Sequence, residues 1–355
     1  MAGNRTTIGE SQWRMAFAAA ITLALAFPLE PPARASDSSR DPLHFIFFDR
    51  ARDRIAETSF LESTAIAGAQ LKYTWRELEP ERDRYDIAMV LADLAFLQKH
   101  GKSLFVQLQD VSFDETVNVP EYLRTDPAFG GGVARKYLGE GDDESKAGFD
   151  GWVARRWDPA VRSRFAKLLQ ALGRELNGKI EGLVLAETAL GFGDHERFHP
   201  AGYTNEAYVE GVKANMLAAR EAFPLSRVIQ YANFMPGEWL PEDDHGFLRA
   251  VYEHAYRIGV GVGGPDLIPH RKGQLKHSYP LIASRPQGVV AGVAVQSGNL
   301  EEMNPATREP VTVSEVYRFA KDPLRLNYVF WGTQEPYYSA HVLPFLRKLP
   351  RSDEK

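Results

Sequence analysis

Glu187 closes the apolar run Ile180-Glu181-Gly182-Leu183-Val184-Leu185-Ala186. A carboxyl group left at the mouth of a buried strand is partly desolvated, and desolvation raises its pKa until it can donate a proton near neutral pH. The plainer reading of such a residue is a helix cap or an ion-pair partner. Other polar side chains also stand at the ends of apolar runs: Asp49 and Arg50, then Lys72, Trp75 and Arg76, then Gln107, Gln109 and Asp110. Tyr231 and Asn233, Asp266, Gln296, and the group Trp331, Thr333, Gln334 and Glu335 follow. Amides and carboxylates pair with hydroxyls, and indoles present flat faces to pyranose C–H groups, so the set suits a sugar. Lys72, Trp75, Gln107, Gln109, Tyr231, Asn233, Gln296 and Trp331 are therefore expected to bind substrate. Glu187, Glu335 and Asp266 are the candidate catalytic acids.

A second motif competes. His195-Glu196-Arg197-Phe198-His199 spells H-E-x-x-H, which on a helix sets two imidazoles on one face for zinc with the Glu as base. Its context does not favour that chemistry. Gly191-Phe192-Gly193 precedes it and Pro200 follows at once, so little more than one helical turn is available before the chain must break. A zinc peptidase is the second alternative, a loop near the sugar site is the better reading, and no metal or cofactor is expected. His245, His254, His270 and His277 lack metal-like spacing. Gly259 to Gly264 lacks the strand and GK context of a phosphate cradle.

The elements that must position these residues follow from hydrophobic patterning. Eight short apolar runs read as strands: Phe45–Phe48, Ala69–Tyr73, Ser103–Leu108, Ile180–Ala186, Val228–Ala232, Ile258–Val262, Val289–Val295 and Leu326–Phe330. Several are continuous rather than alternating, as parallel strands buried on both faces should be. Between the third and fourth, Asp158 is a candidate N-cap with Pro159 at the first helical position. Val161, Phe165, Leu168, Leu169, Leu172 and Leu176 then form one apolar stripe, and Asn177-Gly178 ends it. Further helices are expected over about Ile87 to His100 and Asn205 to Phe223. Strands alternating with helices imply parallel βαβ units, and eight of them with no Gly-rich dinucleotide fingerprint favour a closed (β/α)8 TIM barrel, an α/β single domain. The segment 110–157 is long, rich in Gly and charge and without a clear period. It reads as an insertion after the third strand, either overhanging the mouth or disordered.

The chain of 355 residues has a formal net charge of -5 and 11% aromatic residues. That balance carries no electrostatic footprint for nucleic acid or an anionic membrane. Arg5 and Arg14, the apolar stretch Met15 to Phe27 and the small-x-small site Ala33-Arg34-Ala35 read as a signal peptide over residues 1–35, with an uncleaved anchor as the alternative. The expectation is thus a periplasmic or secreted protein with no membrane contact after cleavage. With no cysteine, neither a disulfide nor a lipid-modified cysteine is possible. Removing 35 of the 355 residues leaves about 320, ample for one barrel of ~250 residues with decorated loops. The oligomeric state is not legible.

One stretch is distinctive. Trp75-Arg-Glu-Leu-Glu79-Pro80 followed by Tyr85-Asp86 and a helix ending His100-Gly101-Lys102 resembles the second-strand signature of clan A glycoside hydrolases. Val119-Pro120-Glu-Tyr-Leu123 is similar to the clan's loop after strand three, and Trp331 resembles its indole platform on the last strand. The resemblance implies a (β/α)8 barrel cleaving O-glycosidic bonds of an oligo- or polysaccharide, with Glu187 as general acid/base. Two positions depart from it. Ala186 stands where the clan places Asn, and Gln296 stands where it places the Glu nucleophile. A neutral amide cannot form the glycosyl ester that retention requires. Glu335 or Asp266 could supply the second carboxylate, and Glu335 is favoured because Trp331, Thr333 and Gln334 precede it. Alternatively Glu301 or Glu302 folds back into the mouth, or the barrel binds carbohydrate without cleaving it.

Overall fold

The computed structural model describes residues 41–138, 148–192 and 198–349. The expected signal peptide and His195 and Glu196 of the zinc motif lie outside them. Among the described residues there are ten strands: β1 Leu43–Asp49, β2 Ile66–Thr74, β3 Ser103–Gln109, β4 Val133–Leu138, β5 Gly148–Ala154, β6 Gly182–Leu185, β7 Arg227–Tyr231, β8 Gly261–Gly264, β9 Ala291–Val295 and β10 Tyr328–Gly332. Eight close into a barrel in the order β1-β10-β9-β8-β7-β6-β3-β2, while β4 and β5 form a separate two-stranded sheet. The barrel pairings are all parallel, so the chain folds as a (β/α)8 TIM barrel.

Two hydrophobic layers hold it. Inside the barrel, Phe45, Phe47, Phe105, Val184, Ile229, Tyr231, Ala294, Tyr328 and Phe330 pack together. The ring of Phe105 stands edge-on to Phe45 and Phe330, each with centroids 5.0 Å away. These rings fit because neighbouring staves carry glycine: a Cβ on Gly182 would lie 2.3 Å from Phe105 Cε1 and one on Gly68 2.7 Å from Phe45 Cε1. A Cβ on Gly263 would lie 1.8 Å from the Gly292 carbonyl oxygen, so β8 approaches β9 only without a side chain there. Outside, the second faces of the strands meet the helices in one large cluster. The helix Pro159–Leu176 buries Val161, Phe165, Leu168, Leu169, Leu172 and Leu176, the stripe expected from spacing. Asp158 caps it, its Oδ1 accepting Ala160 N at 2.8 Å. Ala88–Lys99 and Asn205–Ala222 are the other two anticipated helices. Among the described residues no helix is long and apolar enough to cross a membrane.

All eight anticipated barrel strands are present, with bounds that differ by up to three residues, and two of these differences matter. Ile258 ends the preceding helix and Gly259 caps it at φ 70, so β8 starts only at Gly261. The last strand runs two residues further than expected, to Gly332, which matters for Trp331. In the 110–157 insertion, the described part is ordered structure. A short helix Glu121–Thr125 precedes the antiparallel β4–β5 hairpin. On one side β5 bonds the segment leaving β3, with Ser112 N donating to Trp152 O at 2.8 Å and Ala154 N to Asp110 O at 2.9 Å. On the other, Tyr137 N donates to Gly191 O at 2.9 Å in the segment leaving β6. The hairpin therefore bridges the exits of β3 and β6, and it walls the carboxyl-terminal end of the barrel between them.

Candidate active site

Side chains alternate across a strand, so the interior ring residues fix which polar groups face the mouth. Phe105 is interior, hence Gln107 and Gln109 are too. By the same alternation Gln70 and Lys72, Tyr231 and Asn233, and Ala294 and Gln296 share the inner face. Glu187 stands two residues past the end of β6, and its Oε2 accepts Asn233 Nδ2 at 2.7 Å. Asn233 also accepts Ala189 N through Oδ1 at 3.2 Å. One amide thus ties the exit of β7 to both the carboxylate and the backbone of the Glu187 segment.

A buried polar network holds that segment from behind. Arg156 donates to both Asp110 oxygens, Nε at 2.8 Å and Nη2 at 2.6 Å. Its Nη1 donates to Glu187 O at 2.8 Å and to the Tyr208 hydroxyl at 2.8 Å. Tyr208 donates onward to Thr188 O at 3.0 Å, and Thr188 Oγ1 to Phe234 O at 2.7 Å. Burial, the largest single influence, would lower the Arg156 pKa, but Asp110 and Tyr208 together outweigh it through charge and hydrogen bonds, and the guanidinium is held above its usual range. Sequence reasoning did not single out Arg156 or Tyr208. The available signal was an arginine pair, Arg155-Arg156, set between Val153-Ala154 and Trp157.

Desolvation pushes the Glu187 carboxyl up to about 7, opposed by the Asn233 hydrogen bond and reinforced by the Asp266 charge. Asp266 follows β8. Asn299 Nδ2 donates to its Oδ1 at 2.9 Å, and the Tyr279 hydroxyl donates to its carbonyl at 2.9 Å. Tyr231 lies between the two acids electrostatically. Burial raises its phenol well above 10, the Gln70 hydrogen bond opposes this, and the Glu187 and Asp266 charges add to it. Its hydroxyl accepts Gln70 Nε2 at 3.1 Å. The Oε1 atoms of Gln70 and Gln107 are buried and have no hydrogen-bond partner. Native interiors rarely leave such acceptors unmet away from ligand or water sites. Lys72 reaches Asp49, Nζ to Oδ1 at 2.8 Å, and its ammonium lies 5.3 Å from the Phe47 ring centroid. Gln109 is buried. Gln296 is half-buried and its N–H donates to Asn299 Oδ1 at 2.9 Å, so one asparagine serves the exits of both β8 and β9.

Three expected site residues belong elsewhere. Trp75 is fully buried, stands edge-on to Phe165 at 5.1 Å and donates its indole N–H to Glu79 Oε2 at 2.8 Å. Glu79 in turn pairs with Arg164 of the helix Pro159–Leu176. The distinctive Trp-x-x-Leu-Glu motif is thus a scaffold joining β2 to that helix and not a sugar contact. Trp331 sits on the outer face of β10, fully buried in the helix-facing cluster. Its Nε1 donates to His44 Nδ1 at 3.1 Å, and burial holds that imidazole down at about 4, suiting it to accept. Glu335, the favoured second acid, is exposed and accepts Ser339 Oγ at 2.6 Å and Ser339 N at 3.2 Å. It is spent on a local turn. Glu301 and Glu302 are likewise engaged, with Gln334 and Arg271 respectively. Of the two histidines and the glutamate of the zinc motif, His199 is among the described residues, with its ring 5.0 Å from Tyr203. Among the described residues no three His, Asp or Glu side chains cluster to hold a metal.

An exposed aromatic follows β7. Trp239 is 51% exposed. It lies parallel to Phe234 at 5.8 Å with 4° between planes and leans on His277 at 4.6 Å. Phe234 directly follows Asn233 in the segment leaving β7, and His277 stands between the helices Lys272–Lys276 and Ser278–Ala283.

The chain matches no protein-family profile and no curated protein. Similar solved structures are GH5_18 from Streptomyces cattleya in complex with GlcNAc, at 14% identity and TM-score 0.50, covering 82% of this chain and 70% of that one. GH5_18 from Bifidobacterium longum in complex with Manb1-4GlcNAc is similar at 13% identity and TM-score 0.50, covering 86% and 72%. At such identity the likeness is one of fold, and these barrels are glycoside hydrolases of the clan that the Trp75 motif resembles.

Proposed function

We propose that the protein hydrolyses an O-glycosidic bond in an oligo- or polysaccharide, with Glu187 as proton donor and Asp266 as the second carboxylate. The observation that carries this reading is Glu187 itself, a carboxyl raised to about 7 in a barrel mouth, with the charge of Asp266 acting on it. A carboxyl able to give up a proton and a second carboxylate are the working parts of glycoside hydrolysis. Carbohydrate is what the two GH5_18 structures hold, and Gln107, Gln109, Lys72, Tyr231, Asn233 and Gln296 on the inner face suit sugar hydroxyls. The residues 1–35 would direct the chain to the periplasm or outside the cell. The test is release of reducing ends from soluble β-linked glucans, xylans and mannans. The anomeric form of the first product then reports the carboxyl separation, retention for about 5–5.5 Å and inversion for about 6.5–9.5 Å.

Gln296 at the end of β9 favours a second reading, a barrel that binds carbohydrate without cleaving it. Binding of those same polysaccharides with no reducing-end release selects that reading.

Asp266→Asn is expected to lower cleavage about a hundredfold or more, as loss of a catalytic carboxylate does. It should also shift the alkaline limb of the pH profile to lower pH. The Asp266 charge raises the Glu187 pKa, so neutralising it lets Glu187 ionise earlier. A profile that stays in place would remove Asp266 from the site. For Trp239→Ala, loss of stacking worth about 1–1.5 kcal/mol implies roughly tenfold weaker sugar binding. Calorimetric titration with a soluble oligosaccharide checks this, and equal affinity for both proteins would show the indole to be a bystander.

A further inference from the structure

The β4–β5 hairpin carries a cation that the mechanism above does not use. Lys136 on β4 has a fully buried side chain. Its ammonium pairs with Asp150 Oδ2 of β5 at 3.2 Å, and the Phe113 ring covers it at 3.7 Å. A buried ammonium is costly unless it is well compensated, and one carboxylate with one ring face is modest compensation for three donors. Desolvation accordingly pulls its pKa down, while the charges of Asp150 and then Glu187 hold it up. The next residue along β4, Tyr137, bonds to Gly191 and bridges to Phe192, in the segment that begins with Glu187. The hairpin is thus pinned directly to the chain that carries the acid.

We infer that Lys136 is a positioning residue acting through Glu187: it supplies the positive charge that receives the Glu187 carboxylate once its proton has been given away, with Asp150 as the counterweight that limits this effect. The inference rests on reading Glu187 as the proton donor. The charged and titratable groups that bear on that acid, directly or through their partners, are Asp266 after β8, Tyr231 on β7, Arg156 after β5 with its partner Asp110 after β3, Tyr208 on the helix Asn205–Ala222, and Lys136 with Asp150 on the hairpin. Arg156 is neutralised by two bonds to Asp110, and Lys136 by a single bond to Asp150. While Glu187 is protonated, these two pairs cancel internally. On ionisation the new negative charge meets Lys136 as the less firmly matched cation.

The test uses opposite signs. In the full chain, the Glu187 carboxyl is followed by carbon NMR, its signal assigned by disappearance in Glu187→Gln. Lys136→Met should move its titration midpoint up by about one pH unit, the size expected for one charge across a partly screened gap. Asp150→Asn should move it down, since the ammonium then acts without its counterweight. Lys136→Arg should restore the original midpoint. A hairpin that merely loses its packing would shift both variants the same way. Shifts of equal sign, no shift, or an arginine variant that behaves like methionine would each overturn the inference. If Lys136→Met fails to fold, Asp150→Asn and Lys136→Arg still decide it. Because the readout is a titration, it stands apart from cleavage. A wild-type protein that releases no sugar refutes the hydrolase reading and leaves this result intact.

Discussion

Glu187→Gln is expected to lower cleavage by two to four orders of magnitude, the usual contribution of a positioned general acid. Sugar affinity should stay within about twofold of the original, because glutamine retains an oxygen that can accept Asn233 Nδ2. The rate of the unaltered protein should fall as pH rises through about 7, where the Glu187 proton is lost. Initial rates against pH on a soluble substrate, beside calorimetric binding, measure both. An undiminished rate in the glutamine variant would take Glu187 out of the mechanism.

The same substitution carries a stability effect of opposite sense. Burial pushes the Glu187 carboxyl up to about 7 in the folded protein, against an ordinary value of 4.5. The folded state therefore binds the proton more tightly than the unfolded chain. Stability from this group is present below the unfolded value and is lost as pH rises through the folded one. Above pH 7 the native protein carries a desolvated carboxylate that glutamine would not. The variant should then be more stable at pH 8, on the order of 1–2 kcal/mol after allowing for partial exposure, and no more stable at pH 4. Denaturant unfolding at the two pH values reads the difference. An inactive protein that is also sturdier is the mark of a strained functional acid.

How much of this was legible beforehand depends on which physical signal each residue left. The barrel strands were readable because burial on both faces forces continuous apolar runs. Glu187, the acid of the proposed mechanism, stood out because it follows one of them. Trp331 was misplaced by the strand boundary. With β10 ending at Phe330 the indole would sit at the rim, but β10 pairs with β1 through Phe47↔Gly332, and alternation then turns Trp331 outward onto His44. Trp75 was misread for another reason. Its motif is conspicuous because Trp75, Glu79 and Arg164 lock two elements together, and scaffolding leaves as strong a sequence pattern as chemistry does. The preference for Glu335 over Asp266 came from neighbours in sequence. Asn299 and Tyr279 orient Asp266, and they lie 33 and 13 residues away from it, too distant to be seen along the chain. Lys136 and Arg156 were hidden in an aperiodic, polar stretch that resembled a loose insertion. Each is buried by partners that only the hairpin fold brings to it.

The largest stability effect is expected at Arg156. Replacing it with methionine keeps most of the side-chain volume but leaves Asp110 buried, with 4% of its side chain exposed, and without its two charge-assisted hydrogen bonds. Breaking a buried ion pair on one side costs about 3–5 kcal/mol, because the remaining charge has no solvent to return to. Most of that cost lies in the orphaned carboxylate and little in the pair's own worth. Asp110→Leu combined with Arg156→Met should therefore be less destabilising than Arg156→Met alone, a non-additivity that a double-mutant cycle in denaturant makes visible. If the double variant is worse than the single one by the sum of two independent losses, the pair is holding the fold together by attraction and the argument is wrong. Function discriminates further. Even the well-packed double variant lacks the Nη1 donor to Glu187 O and to Tyr208, so the segment carrying the acid loses its anchor. Recovered stability without recovered cleavage is the expected outcome. It would show that this buried arginine is kept for where it places Glu187, whatever it contributes to folding.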